Sequence, residues 1–382
     1  MFQLTNDELK EKGADITVRE TQGQPALWRK AFGEYLTKKT ELAEFLDGIS
    51  AKHPYLRVIF TGAGSSQYVG DTVIRSLTEL GDTKRYRFES IGSTDIVSAP
   101  QSVLEKDTPT LLVSFGRSGN SPESVAAVDV VEQYVTSSYQ LSITCAMNGA
   151  LSQKLDAMSN ALNYVLPPES LDLGFAMTGS FSTMTLLATL IFSQQSDAEK
   201  AEQVEWAALA AESVLSRDAE ISTFLPEYVN RVVYVGSGPL AGLTREAQLK
   251  ILELTAGKVA TVFDSSMGLR HGPKSFINDK TALFVFASND DYTRQYDLDL
   301  YNEVKDDGIA AQVVLIGQDV EEFSYQTNGK LHPAYQVFPS VVFAHVIALR
   351  ASLNVGNTPD TPSATGTVNR VVKGVTIHPL NN

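Results

Sequence analysis

Two short stretches carry residues able to hold an anion. Residues 114–124 read SFGRSGNSPES after the apolar run TLLV, and residues 62–67 read GAGSSQ after RVIFT. Ser121 stands where a helix N-cap belongs, and Pro122 takes the first helical position, where its missing N–H costs nothing. The N–H groups at that helix start, with the hydroxyls of Ser114, Ser118 and Ser121, make a neutral cradle for a dianionic phosphate. Ser65 and Ser66, beside Gly64, can close it from a neighbouring strand. One Ser-Gly loop is explained equally well by a plain turn; two on successive strands point to a phosphate site. Neither loop contains G-x-x-x-x-G-K-[ST], so nucleotide hydrolysis is not indicated, and GSGPLA at 236–241 matches the dinucleotide pattern G-x-G-x-x-A only loosely.

Other reactive side chains are few. Glu246 and Glu253 lie seven apart in TREAQLKILELTAG and share one helical face two turns apart; a helical glutamate is ordinarily solvated. His271 stands in LRHGPKS, where Gly272 and Pro273 stop a helix and leave the ring in a turn. His53 and His332 precede prolines in loops, His345 belongs to the apolar helix VVFAHVIALR as a core residue, and His378 is near the end of the chain. With no H-E-x-x-H, H-x-H or acidic pair at metal spacing, catalysis without metal or cofactor is expected. The single Cys145 excludes an intrachain disulfide and reads as a small buried residue.

The elements that must position these residues repeat. RVIFTGAGSS from Arg57 returns as RVVYVGSGPL from Arg231, an offset of 174; TPTLLVSFGRSG and KTALFVFASNDD, then LSITCAMN and AQVVLIGQ, follow at nearly the same distance. Three strands recurring in order, each followed by a helical stretch, describe a duplicated α/β unit, since solenoid repeats are much shorter. The continuously apolar strands predict two tandem doubly wound parallel sheets with ligands beyond the carboxyl ends. The expected organisation is a helical segment over 1–50, a first domain over 51–200 with the phosphate loops, a second over 201–353 with Glu253 and His271, and a C-terminal arm over 354–382. DAEKAEQVEWAALAAESVLSR reads as a bridging amphipathic helix, and VVKGVTIHPL carries a short strand-like pattern.

The 382 residues carry a formal charge of −14, which disfavours nucleic acid and anionic membrane as partners. The N-terminus is too polar and acidic for a secretory signal, and the longest apolar stretch, near SFSTMTLLATLIFS, is too short to span a bilayer. A soluble cytoplasmic protein is expected.

GAGSSQ, SFGRSGNSPES and TREAQLKILELTAGKVATVFDSSMGLRHGPKSFI together resemble the sugar isomerase (SIS) domain, a flavodoxin-like fold, present twice as in the isomerase half of glucosamine-6-phosphate synthase. The most specific part is E-A-x-L-K-x-x-E followed by H-G-P. RETQGQPALW, ESLDLGFAMTGSFS and TPSATGTVNRVVKGVTIHPL resemble the bacterial amino-sugar branch, the tagatose-6-phosphate ketose/aldose isomerases or galactosamine-6-phosphate deaminase/isomerases. With no glutaminase domain or N-terminal cysteine ahead of the repeat, degradation with release of ammonia is the expected direction.

The resemblance implies roles. Glu253 matches the proton-transferring glutamate, Glu246 an earlier supporting glutamate, and His271 the ring-opening histidine that reaches the site of a second subunit, at a spacing two residues longer than in the synthase. Lys373 matches a C-terminal lysine at the sugar. Ser65, Gly116, Arg117, Ser118 and Ser121 match the phosphate loops; Gly116 replaces a serine, so Ser114 or a backbone N–H must compensate, and Arg117 either adds charge to the cradle or lies on the surface. Met177 and Thr178 should border the sugar. The expected partner set is an amino-sugar phosphate and a second copy of the chain, with the site at the subunit interface. Two other readings stay open: a glucosamine-6-phosphate or non-deaminating isomerase, and a non-catalytic sugar-phosphate sensor.

Overall fold

The computed structural model describes residues 1–372 and 374–380. Strands β1 (Leu56–Thr61), β2 (Tyr86–Ser90), β3 (Thr110–Gly116), β4 (Ser138–Thr144) and β5 (Ala161–Val165) form one sheet, in the order β2-β1-β3-β4-β5. Strands β6 (Arg231–Gly236), β7 (Ala260–Ser265), β8 (Thr281–Phe286), β9 (Gln312–Gly317) and β10 (Phe323–Ser324) form the other, in the order β10-β9-β8-β6-β7. All pairings are parallel. Read from β7, the second order repeats the first, and both are the flavodoxin-like arrangement, whose order reverses between β1 and β3 and between β6 and β8.

The three repeated sequence pairs are the strand pairs β1/β6, β3/β8 and β4/β9. Strands β1, β3 and β8 are buried at every residue, as strands covered on both faces must be. The strands without a sequence signal are β2, β5, β7 and β10. Three of them, YRFES, ALNYV and ATVFDS, are partly exposed and mix polar with apolar residues, which blurs any pattern. Each sheet carries an aromatic pair across its central strands. Phe60 and Phe115 stack at 5.9 Å, and Tyr234 and Phe286 at 5.7 Å.

The longer helices are α1 (Asp15–Ser50), α2 (Ser65–Leu80), α3 (Pro122–Tyr134), α4 (Gly179–Phe192), α5 (Asp197–Leu215), α6 (Pro239–Leu254), α7 (Asp291–Asp307) and α8 (Pro333–Asn354). The chain divides into two compact units. One comprises Met1–Arg29, Asp172–Thr178 and Asp197–Thr367, and the other Lys30–Leu171, Gly179–Ser196 and Val368–Asn382. Helix α1 receives its N-terminal cap from far away in sequence: Asp360 accepts from the N–H groups of Ile16 and Thr17 and from the Thr17 hydroxyl, at 2.7–3.1 Å.

Two expectations need correction. The longest apolar helix is not α4 but α8, whose 22 residues are long and apolar enough to cross a membrane. It is buried along 89% of its most apolar window, packed against α5 and α6, so its uniform hydrophobicity is that of a core helix. The strand-like pattern in VVKGVTIHPL forms no strand among the described residues. Val368, Val372, Val375 and Ile377 are exposed, and alternation becomes a strand only where a sheet edge supplies partners.

Candidate active site

The two hydroxyl loops lie side by side at the carboxyl edge of the first sheet, because β1 pairs with β3 and Thr61 is in register with Ser114. The first loop turns through Gly62 and Gly64. A Cβ on Gly62 would come within 2.6 Å of the Ser66 backbone, so glycine lets the helix start against the strand. Gly64 takes φ +58° and ψ −130°, a conformation for which glycine is suited, and places Ser65 and Ser66, both buried, in the first turn of α2. Ser114 is buried with its hydroxyl unpaired, as are the hydroxyls of Thr61 and Ser93 nearby, where the Ser93 N–H donates to the Gly62 carbonyl. Buried hydroxyls ordinarily find partners, so this corner of the sheet has spare polar capacity.

In the second loop a Cβ on Gly116 would stand 3.2 Å from the Gly119 backbone, which would have to give way slightly, and Gly119 has φ +64°. Ser118 accepts from the Asn120 N–H, and Ser121 occupies the N-cap of α3 without making a side-chain cap bond. Arg117 is not a surface residue. It is buried, and its Nη2 donates to the Arg370 carbonyl at 2.9 Å, tying the C-terminal arm to this loop.

The corresponding place in the second half is filled from within. Gly236 and Gly238 repeat the roles of Gly62 and Gly64, Gly238 with φ +56° and ψ −129°. Here Asp297 of α7 turns its buried carboxylate into the crevice at the carboxyl ends of β6, β7 and β8. It accepts from the hydroxyls of Ser237 and Ser266, each at 2.5 Å, and from the Ser288 N–H at 2.9 Å. Burial pushes this carboxyl group above its usual pKa against the pull of those three donors.

Helix α6 carries the candidate acid–base residues. Glu246 is fully buried and Glu253 is 23% exposed; between them Lys250, itself buried, places its ammonium 3.1 Å from Glu246 and 2.5 Å from Glu253. Burial alone would depress the Lys250 pKa, but the two carboxylates outweigh it and raise it, so the lysine stays charged. Lys250 is the lysine of E-A-x-L-K-x-x-E, but sequence reasoning gave it no role, although its spacing of four from Glu246 and three from Glu253 is the ion-pairing spacing of a helix. A carboxylate gripped on one oxygen by a buried ammonium and partly open on the other side is placed to take and return a proton.

His271 ends the 3-10 turn Gly268–His271 and is exposed. Gly272, at φ +126°, starts the next turn. Both flanks are anchored to α7: Arg270 to Glu303 at 2.6 Å, and Lys274 to Glu303 and Asp307 at 2.5 and 2.6 Å. His345 is a core residue as expected, its Nδ1 3.1 Å from Gln24 Nε2.

Met177 and Thr178 belong to a segment without helix or strand that ends at α4. Asp172 closes it on itself, accepting from the Thr178 N–H at 2.8 Å and hydroxyl at 2.9 Å. Lys373 lies outside the described residues. The structure thus gathers Gly64, Ser65, Ser66, Ser114, Gly116, Arg117, Ser118 and Ser121 on one sheet edge, and carries Glu246, Glu253, His271, Met177 and Thr178 in the other unit.

No family model matches the chain. It is 40% identical over 377 residues to the D-galactosamine-6-phosphate deaminase AgaS of Shewanella sp. (strain ANA-3), covering 99% of this chain and 95% of that one. Its fold superposes on a tagatose-6-phosphate ketose/aldose isomerase from Escherichia coli with a TM-score of 0.86 and 37% identity, over 96% of this chain and 97% of that one. A Clostridium novyi NT protein provisionally described by the same activity gives a TM-score of 0.92 and 38% identity, over 100% and 99% of the two chains. With two flavodoxin-like sheets of one topology, and that likeness running from end to end, the chain belongs to the D-galactosamine-6-phosphate deaminase AgaS family of double sugar isomerase proteins.

Proposed function

We propose that this protein converts galactosamine-6-phosphate to tagatose-6-phosphate and ammonia. The observation that carries the reading is the Glu246–Lys250–Glu253 array on α6 in a chain of AgaS descent. The phosphate sits in the cradle of Ser65, Ser66, Ser114, Ser118 and Ser121, with Gly64 and Gly116 allowing close backbone approach and Arg117 bracing the loop. His271 moves the proton between O1 and O5 that opens the pyranose. Glu253 takes the proton from C2 of the open aldehyde, O1 being protonated to give an enolamine, and returns it at C1 as the amine nitrogen gives up a proton; the ketimine left at C2 is hydrolysed by water to ketose and ammonia. Lys250 holds the Glu253 carboxylate in place, Glu246 balances the lysine, Met177 and Thr178 border the sugar, and Lys373 assists ring opening.

The protein acts in the cytoplasm as a homodimer or larger assembly, with His271 serving the site of a second subunit. Its exposure at the tip of an anchored loop supports that role. Mixing inactive His271→Asn and inactive Glu253→Gln subunits then restores activity; no restoration means that both residues serve the same chain.

The deciding assay incubates the protein with galactosamine-6-phosphate, and separately with glucosamine-6-phosphate, and follows ammonia and ketose phosphate together. Ammonia from the galacto substrate supports the proposal, and ammonia from the gluco substrate alone moves the preference. The description of the Escherichia coli structure as a ketose/aldose isomerase favours a second reading, isomerisation without deamination, which ketose without ammonia would establish. Saturable binding without turnover would make the protein a sensor.

A further inference from the structure

Glu20, on the second turn of α1, points its carboxyl group at the backbone of the segment that carries Met177 and Thr178. One carboxyl group accepts from two consecutive N–H groups, Leu173 at 2.5 Å and Gly174 at 3.2–3.3 Å. The contact is close. A Cβ on Gly174 would stand 3.0 Å from Glu20 Oε2 and 3.0 Å from the Thr17 hydroxyl. Thr17 is held by Asp360, and the far end of the segment is closed by the Asp172–Thr178 bonds. Two carboxyl groups, one of them on a different element, therefore hold this seven-residue stretch without helix or strand near its start and at its end.

We infer that Glu20 is a positioning residue for the substrate: by docking Leu173 and Gly174 on α1 it sets where Met177 and Thr178 stand. The inference rests on the reading that these two residues border the sugar.

The charged groups around Glu20 are Asp172 in the segment, Arg19 on its own helix, and Asp360 bound to Thr17 one turn away. Burial, and then the charge of Asp172, raise the Glu20 pKa from 4.5 to about 7, against the two N–H donors and Arg19. An undocked segment leaves Glu20 in water with an ordinary carboxylate pKa, so the docked state binds the extra proton between those values. Docking is accordingly strongest below about pH 4.5, weakens as pH rises from there to about 7, and levels off above it. Burial favours the neutral acid, and glutamine is its neutral isostere.

The test compares the wild type with Glu20→Ala and Glu20→Gln. The wild-type KM for galactosamine-6-phosphate should rise as pH goes from about 4.5 to about 7 and level off above that, with kcat less affected. Glu20→Gln should keep the low KM and lose the pH dependence, whereas Glu20→Ala should raise KM about tenfold at every pH, the scale of a small misplacement at the site. Amide hydrogen exchange of the free protein gives a readout independent of substrate: Glu20→Ala should lose protection at Leu173 and Gly174, and Glu20→Gln should retain it at Leu173. Unchanged KM together with unchanged protection in Glu20→Ala overturns the inference. If the wild type turns over no amino-sugar phosphate, the functional reading falls, and the exchange data still decide whether Glu20 docks the segment.

Discussion

Lys250 and Glu253 show how one side chain sets the chemistry of its neighbour. A buried ammonium beside two carboxylates makes each dependent on the others, and losing one partner of a buried pair typically costs about 3–5 kcal/mol. Glu253→Gln keeps the shape and a weaker hydrogen bond to Lys250 but removes the proton acceptor. It should lower kcat by about 10²–10⁴-fold while the protein still binds substrate, measured by turnover and by calorimetric titration. His345 makes a second residue-scale prediction. Burial first, and the charge of Lys250 second, lower its pKa from 6.5 to about 3, so it is neutral in the fold. The unfolded chain takes up a proton there as pH falls below 6.5 and the folded chain does not. This residue should therefore withdraw about 1.4 kcal/mol of stability per pH unit between pH 6.5 and about 3. Urea unfolding at stepped pH should show a shallower acid slope in His345→Gln.

At the scale of elements, the paired glycines explain why each half opens its first helix in the same way. Gly62 and Gly236 are spacers, since a Cβ would meet the following helix at 2.6 and 2.9 Å, whereas Gly64 and Gly238 have open space around them and are held by conformation alone. Gly64→Ala should therefore cost about 1–3 kcal/mol through backbone strain, and Gly62→Ala more, because Ser66 must move. The order of their urea midpoints checks this. Element types were legible where burial was complete: RVIF, TLLV, TALFVF and the helix of TREAQLKILEL announce themselves. The edge strands and the tail did not, because their residues are half exposed and their conformation depends on which neighbour they meet. The cap of α1 by Asp360, some 340 residues away, has no local signature at all.

At the scale of the whole molecule, a duplicated chain raises the expectation of two equivalent sites. The structure assigns the halves different fates. The first sheet ends in unpaired hydroxyls, and the second ends in three donors already bound to Asp297. Calorimetric titration of the Glu253→Gln protein with galactosamine-6-phosphate should give one site per chain; two would mean that the carboxylate yields to the ligand. By itself the sequence determined the fold class and the duplication, and it singled out the two hydroxyl loops, the glutamates and the histidine as candidates. These rest on local periodicity and on short contiguous motifs, where neighbours in the chain are neighbours in space. Tertiary structure alone decided that Lys250 is buried between two acids, that Arg117 is turned to the tail, that Asp297 fills the second crevice, and that Glu20 holds a segment 150 residues away. Each of those turns on which charged group loses its water and what it then meets, and desolvation is a property of the packed whole.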